Sequence, residues 1–437
     1  MSEPKRFVVL GAGGRGREAY GSWILRHPER AKVVAVADRE PSRREGFAEE
    51  AGGAARYEDW RELLADLPTL GADAAIVALP DAEHVDPAIA LMAHGLPILL
   101  EKPAASTSDE LERLADAARS ADARIVVGHV LRFTPFWRAV RGILDSGAMG
   151  DLMTIDLREN IGFWHFAHSY VRGNWKRAAD ASPMVLAKTC HDLDLIRWFA
   201  GESPTTLSSV GELSHFRPEH APEGAPEFCV DGCPVAASCP FFAPRYYVDA
   251  LEHVHGVPVT LLTSDTSRAG RLRALAHSDY GRCVYRSDND VADHQQTVMR
   301  FSSGLTATLT ASAFTGENTR HISMTGTRGQ LIGHMDDGRI ELDLFSPAAQ
   351  LPELAGVSVV EARTRPPMGH RSYVLSARPE RASAGDHRGH AGGDDGLMAA
   401  FVAGVESGAW SEELSLETAL DSHRMAFAAE RARLAAR

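Results

Sequence analysis

The chain has 437 residues, 44% of them apolar and 24% charged, enough for two or three compact domains of ordinary soluble composition. No apolar run is long enough to span a bilayer, which argues against a membrane protein. A formal net charge of −13 argues against nucleic acid as a partner and makes any local basic cluster conspicuous.

The opening Met1-Ser2-Glu3-Pro4-Lys5-Arg6 lacks the apolar stretch of a secretory signal, so a cytoplasmic location is expected. Residues 7–10 (Phe-Val-Val-Leu) read as a strand buried on both faces of a parallel sheet. The turn Gly11-Ala12-Gly13-Gly14-Arg15-Gly16 follows, then a helix starting near Arg15. Gly11 permits the tight bend, Gly13 lets backbone approach a pyrophosphate, and Gly16 allows close helix–strand packing. The helix start supplies free N–H groups for the phosphates. A second strand, 32–37, ends at Asp38, about 20 residues beyond the last glycine, where a carboxylate binds adenosine ribose hydroxyls. Asp38 favours NAD, since its charge repels a 2′-phosphate; Arg39, close behind, could instead accept that phosphate and admit NADP.

Strand 74–79, helix 85–94, strand 98–100, a helix over 109–120 capped by Ser108, and strand 124–128 continue the alternation of a doubly wound parallel sheet. His84 either lies near the dinucleotide or caps a helix start. Glu101-Lys102-Pro103 stands at the carboxyl end of the 98–100 strand, where such sheets hold their ligands, so Lys102 is a candidate proton-handling group. Further on come a helix over 135–146, a turn at 147–150, and strands 152–159, 295–301, 305–314 and 320–325, with hairpin turns at Gly304 and Gly326. Residues 346–396 read as a long loop, and 416–434 as a final helix packing back on the body.

Taken in order, Gly11 to Gly16, Asp38, Glu101-Lys102-Pro103, Gly128-His129-Val130-Leu131-Arg132-Phe133 and Cys190-His191-Asp192-Leu193-Asp194 resemble the glucose–fructose oxidoreductase and inositol dehydrogenase family (Gfo/Idh/MocA). The resemblance runs from Arg6 to about Glu430. It implies an α/β protein: a Rossmann dinucleotide-binding domain over 1–128, then over 129–437 an α/β substrate domain with a large open, mainly antiparallel sheet. A cysteine-containing insertion is expected at about 211–250. The resemblance also implies that one sheet face meets the cofactor and that the other builds a homodimer or homotetramer.

It implies, too, that Lys102 and His191 share the proton of a carbinol beside the nicotinamide. Gly11, Gly13, Gly14, Arg15, Gly16, Asp38, Arg39, His84, Glu101 and Lys102 are the candidate cofactor-binding residues. Lys102 is expected to act through a depressed pKa, because a partly buried ammonium near a cationic ring favours its neutral form. The alternative is an ion pair between Lys102 and a carboxylate. His191 is expected on a helix over 188–199. Many family members carry an aspartate four residues before that histidine; here position 187 is alanine and Lys188 follows. The change suggests another proton route, or an anionic substrate held by Lys188.

The stretch 161–177 interleaves aromatics with Arg172, Trp175, Lys176 and Arg177. It is either a grip for a sugar carrying an anionic group or a domain-interface loop with solvated charges. In the polar clusters at 280–285 and 387–394, only His390 is a further substrate-binding candidate. Of the five cysteines, Cys229, Cys233 and Cys239 crowd together, which suggests a structural zinc site over a disulfide framework. His215, His220 or Cys190 would be its fourth ligand; free thiols in a surface loop are the alternative.

The functional expectation is an enzyme, an NAD-dependent oxidoreductase acting on a secondary alcohol of a sugar or cyclitol. Two other readings stand beside it. One is an NAD-dependent glycoside hydrolase that oxidises sugar carbon 3, eliminates the leaving group, adds water and reduces the ketone again, on a uronide or sulfoquinovoside. The other is a non-catalytic NAD-binding sensor.

Overall fold

The computed structural model describes residues 3–378 and 389–436. Strands β1 (Lys5–Leu10), β2 (Ala31–Ala37), β3 (Ala55–Tyr57), β4 (Ala74–Val77), β5 (Ile98–Leu100) and β6 (Ile125–Val127) form one sheet in the order β3-β2-β1-β4-β5-β6. Every pairing in it is parallel. Its strands are apolar throughout because each face packs under its own helix layer: Val8 and Leu10 point into one core cluster, Phe7 and Val9 into another. The strand order reverses between β1 and β4, which opens a crevice at the carboxyl ends of the strands.

The second cluster is completed from far along the chain. Leu397, Met398, Phe401 and Val402, on a helix over Gly393–Ser407, pack under this sheet, with the Phe401 ring 6.2 Å from that of Phe7. The C-terminal helix, Leu416–Ala435, runs against the helix Cys190–Ala200.

The second sheet has nine strands: β7 (Leu152–Gly162), β8 (Thr206–Glu212), β9 (His294–Arg300), β10 (Thr306–Thr315), β11 (Thr319–Gly326), β12 (Gly329–His334), β13 (Arg339–Leu344), β14 (Ser358–Arg365) and β15 (His370–Ser376). Their order is β14-β15-β13-β12-β11-β7-β10-β9-β8. Only β7 and β10 pair in parallel; the other pairings are antiparallel. Strand β9 alternates strictly between buried and exposed side chains, as a strand with one solvated face must.

Three expectations change. The stretch 346–396 holds β14, β15 and the start of the Gly393–Ser407 helix, although 379–388 fall outside the described residues. Strand β14 is an edge strand with nearly every side chain exposed, so no apolar alternation marks it. The insertion fills the whole interval 213–293 between β8 and β9. The helix expected over 188–199 is instead a turn at Met184–Ala187 followed by Cys190–Ala200. Among the described residues, no helix is long and apolar enough to cross a membrane.

Candidate active site

A cleft of about 940 Å³ opens at the carboxyl ends of β1, β2, β4 and β5 and is roofed by the second domain. On its floor, Gly11 takes a φ of +96° and its N–H donates to the Ala37 carbonyl at 2.8 Å. A methyl group on Gly11 would lie 2.3 Å from the Ala78 carbonyl oxygen, and one on Gly16 would lie 1.8 Å from that of Gly11. Gly16 therefore closes the turn from behind and does not line the cleft. A methyl on Gly13 or Gly14 would meet nothing within 4 Å. Those two glycines leave bare backbone facing the cleft at a helix start, the geometry that admits a pyrophosphate. Both residues and charges here fit NAD.

Asp38 accepts from the Ala12 N–H at 2.7 Å through one carboxylate oxygen and from the Glu40 N–H at 2.8 Å through the other. These bonds hold it at the cleft rim with acceptor capacity to spare. Arg39 lines the same rim, but its guanidinium is paired with Glu83 at 2.8 Å and mostly exposed. His84 is buried, its ring nitrogens 2.7 and 2.8 Å from the carbonyl oxygens of Pro103 and Leu79. It ties the end of β4 to the segment after β5.

Glu101 is 3% exposed. It accepts from Arg15 Nε at 2.5 Å, from the Tyr20 hydroxyl, and from the Lys102 N–H at 2.8 Å. Burial raises its pKa, but the cations of Arg15 and Lys102 outweigh burial and hold the carboxyl below its usual range. Arg15 also forks onto Asp394 at 2.7 and 3.1 Å. The charged group of Arg15 thus joins the glycine turn to the Gly393–Ser407 helix, and the residue lines the cleft.

Lys102 Nζ donates to the Ala187 carbonyl at 2.9 Å. That oxygen is free because the chain breaks at Lys188 and Thr189 before the next helix, so the backbone of residue 187 meets the lysine where an aspartate side chain was absent. His191, 5% exposed, lines the cleft beside it, and neither ring nitrogen has a hydrogen-bond partner among the described residues. Burial, then the Lys102 ammonium, pushes this imidazole well below the usual histidine range, so it is neutral at pH 7. The His390 ring stands 5.8 Å from it, with Nδ1 of His390 3.3 Å from Asp394.

The substrate-binding candidates divide. Trp175, Lys188, His191 and His390 line the cleft; Arg172 and Lys176 do not. Arg172 is buried and turned toward the insertion, donating to the Arg282 and Phe241 carbonyls at 2.7 and 2.8 Å. Lys176 is held by Asp279 and Asp288, each at 2.7 Å. Lys188 is neutralised by Glu159 at 3.0 Å, which in turn meets Arg320 at 2.8 Å, itself 2.7 Å from Asp192. Burial raises Asp192 to about 6 despite that arginine.

His165, Tyr170 and Asn174, within the 161–177 stretch read as a possible grip, also line the cleft, as does Asp81, which sequence reasoning missed. Asp81 accepts from the Trp175 indole N–H at 3.0 Å, so the aromatic stretch offered a signal only for its own half of the contact. The cysteines Cys229, Cys233 and Cys239 lie outside the cleft, in the insertion.

The oxidoreductase family model with an NAD-binding Rossmann fold matches residues 5–129, and the model for that family's C-terminal alpha/beta domain matches 141–433. YteT of Bacillus subtilis is 22% identical over 359 residues, covering 78% of this chain and 77% of YteT. Inositol 2-dehydrogenase 2 of Saccharopolyspora erythraea is 32% identical over 181 residues, which is 41% of this chain and about half (49%) of that protein. The fold is shared with levoglucosan dehydrogenase in complex with NADH and levoglucosan, at a TM-score of 0.67, 15% identity and coverage of 99% and 98% of the two chains. With both of its domains matched in order, this chain belongs to the Gfo/Idh/MocA family of NAD-binding oxidoreductases.

Proposed function

We propose that this chain is an NAD-dependent dehydrogenase that oxidises a secondary alcohol of a sugar or cyclitol. The observation that carries this reading is the presence together, in one cleft with the glycine turn, of the Lys102 ammonium and a neutral His191 imidazole that has no hydrogen-bond partner among the described residues. Asp38 at the rim supports NAD over NADP. NAD, when bound, supplies the hydride acceptor. His191 takes the hydroxyl proton on the ring nitrogen that carries no hydrogen, being neutral at working pH and without a hydrogen-bond partner among the described residues. Lys102, anchored on the Ala187 carbonyl, donates a second hydrogen bond to the same oxygen and stabilises its growing negative charge. Tyr170, Asn174, Trp175 and His165 offer an aromatic wall with polar tips, a surface suited to a polyol ring.

The cations once expected to grip an anion are spent on carbonyls and carboxylates of the protein itself, which favours a neutral polyol. The names of the inositol and levoglucosan dehydrogenases agree with that substrate class. The outer face of the second sheet, with Val210, Val298 and Ile332 exposed, supports self-association into a dimer or tetramer.

A panel of inositols, anhydrosugars and aldoses incubated with NAD tests the reading. NADH accumulating with one member of the panel, and lost in Lys102→Met, is the expected result. Release of aglycone from glycosides with no NADH accumulation would select the redox-neutral hydrolase instead. NAD binding without turnover of either kind would select the sensor.

A further inference from the structure

The insertion between β8 and β9 gathers a second group of reactive side chains. Cys229, Cys233, Cys239 and Cys283 line one small cavity together with Arg172, Phe241 and Tyr285. The enclosed space is about 10 Å³, room for a single ion and not for a multi-iron cluster.

The local folding explains why Cys283 returns to the other three. Phe228 and Arg282 form an antiparallel bridge, flanked by Cys229 N–H to the Gly281 carbonyl and Cys283 N–H to the Glu227 carbonyl, both at 2.8 Å. Strand alternation then puts Cys229 and Cys283 on one face, opposite the face on which the Arg282 guanidinium covers the Phe228 ring. Cys233 and Cys239 come from a tight loop whose carbonyls at Ala236, Ala237 and Cys239 are collected by Arg245 at 2.7, 2.9 and 2.5 Å. The backbone N–H groups of Phe241 and Tyr285 are directed at the sulfurs of Cys239 and Cys283, each from two residues further on.

Charge points the same way. The guanidinium of Arg172 is buried, bonds two carbonyls, and lies 3.7 Å from Cys229 Sγ. Among the described residues, no carboxylate pairs with it. A buried cation without an anion is costly, and thiolates at this cavity would supply the missing charge. Four thiolates around a divalent ion leave two negative charges, of which Arg172 offsets one.

We propose that Cys229, Cys233, Cys239 and Cys283 are the four ligands of one zinc ion, drawn in around it from sulfurs of which every group of three here has at least one pair more than 4.8 Å apart, so that the ion holds the insertion against the wall of the cleft. The fourth ligand is then Cys283 and not His215, His220 or Cys190. The Tyr285 hydroxyl is 3.2 Å from His215 Nε2, and Cys190 is buried in the helix beside His191. Arg172 ends the segment Ala167–Arg172, whose Ser169 and Tyr170 line the cleft, so the site braces the substrate wall. This inference does not depend on the proposed activity.

Metal analysis of the full chain purified without chelator tests it directly, and about one zinc per chain is expected. Cys283→Ser should lose the metal, while His215→Ala and His220→Ala keep it. Cobalt(II) added to chelator-stripped wild type should give the intense visible bands of a tetrahedral tetrathiolate, a readout that holds even if the cysteine variant fails to fold. Less than about 0.1 zinc per chain with no cobalt bands, full zinc content in Cys283→Ser, disulfides among the four cysteines, or stoichiometric iron in place of zinc would each overturn the assignment.

Discussion

Glu101→Gln keeps the shape of a side chain that three donors share and removes its charge. In the wild type one carboxylate oxygen serves Arg15 and Tyr20 while the other accepts from the Lys102 N–H. An amide can keep only one of those roles. If its oxygen faces Arg15, its NH2 confronts the Lys102 N–H, and a buried donor is left unpaired at about 1–3 kcal/mol. Stripping one partner from a buried ion pair costs about 3–5 kcal/mol, but Asp394 still holds Arg15 on its other edge, so the lower part of that range applies. The expected loss is about 2–4 kcal/mol, because the two penalties overlap on the same group. Urea unfolding of Glu101→Gln, Arg15→Met and the double variant gives the size and the coupling. The double variant should be less destabilised than the sum of the singles, since each single variant already forfeits the Arg15–Glu101 contact, which the double variant loses only once. A loss below about 0.5 kcal/mol, or strict additivity, would refute the argument that Arg15 and Glu101 form the strut under Lys102.

Lys102→Met should lower kcat/KM by about 10²- to 10⁴-fold with NAD affinity retained, as steady-state rates and fluorescence titration would register. In wild type the acid limb of kcat/KM should lie below the ordinary histidine value, and in Lys102→Met it should move upward, since the ammonium that helps hold His191 down is gone. Asp38→Ala should weaken NAD binding by about 10- to 100-fold, the worth of a hydrogen bond to a charged group, and narrow the preference over NADP. Burial holds His168 at about 4 and His423 at about 3, below the 6.5 of an unfolded histidine. Below pH 6.5 the unfolded chain therefore binds more protons, so stability falls as pH drops toward those values and is unaffected above pH 7. Each such histidine contributes up to about 1.4 kcal/mol per pH unit, which denaturation midpoints taken at successive pH values would reveal.

The first domain was legible in the sequence because its signals are local. A strand, three spaced glycines and a terminal carboxylate at Asp38 each specify a short piece of backbone, and the parallel order follows from the alternation. What the sequence hid was long-range. The helix over Gly393–Ser407 packs on Phe7 and Val9, nearly the whole chain length away, and its approach lay in a stretch too rich in small and polar residues to mark. The same holds for the charges: Arg172, Lys176 and Lys188 each read as a possible grip for an anionic substrate, yet each is matched by groups 29 to 112 positions distant, which no local pattern reveals. Lys102 and His191 were named from motifs, but the oxygen that anchors the lysine belongs to the backbone of Ala187, where side-chain identity carries no information.

The most direct test of the central claim uses a responsive polyol deuterated at the carbinol carbon, mixed in a single turnover with enzyme and NAD. The account predicts deuterium at the nicotinamide C4 of the NADH formed, with the transfer slowed severely in both Lys102→Met and His191→Ala. Label that stays in the carbohydrate, or transfer at the wild-type rate in both variants, would contradict it.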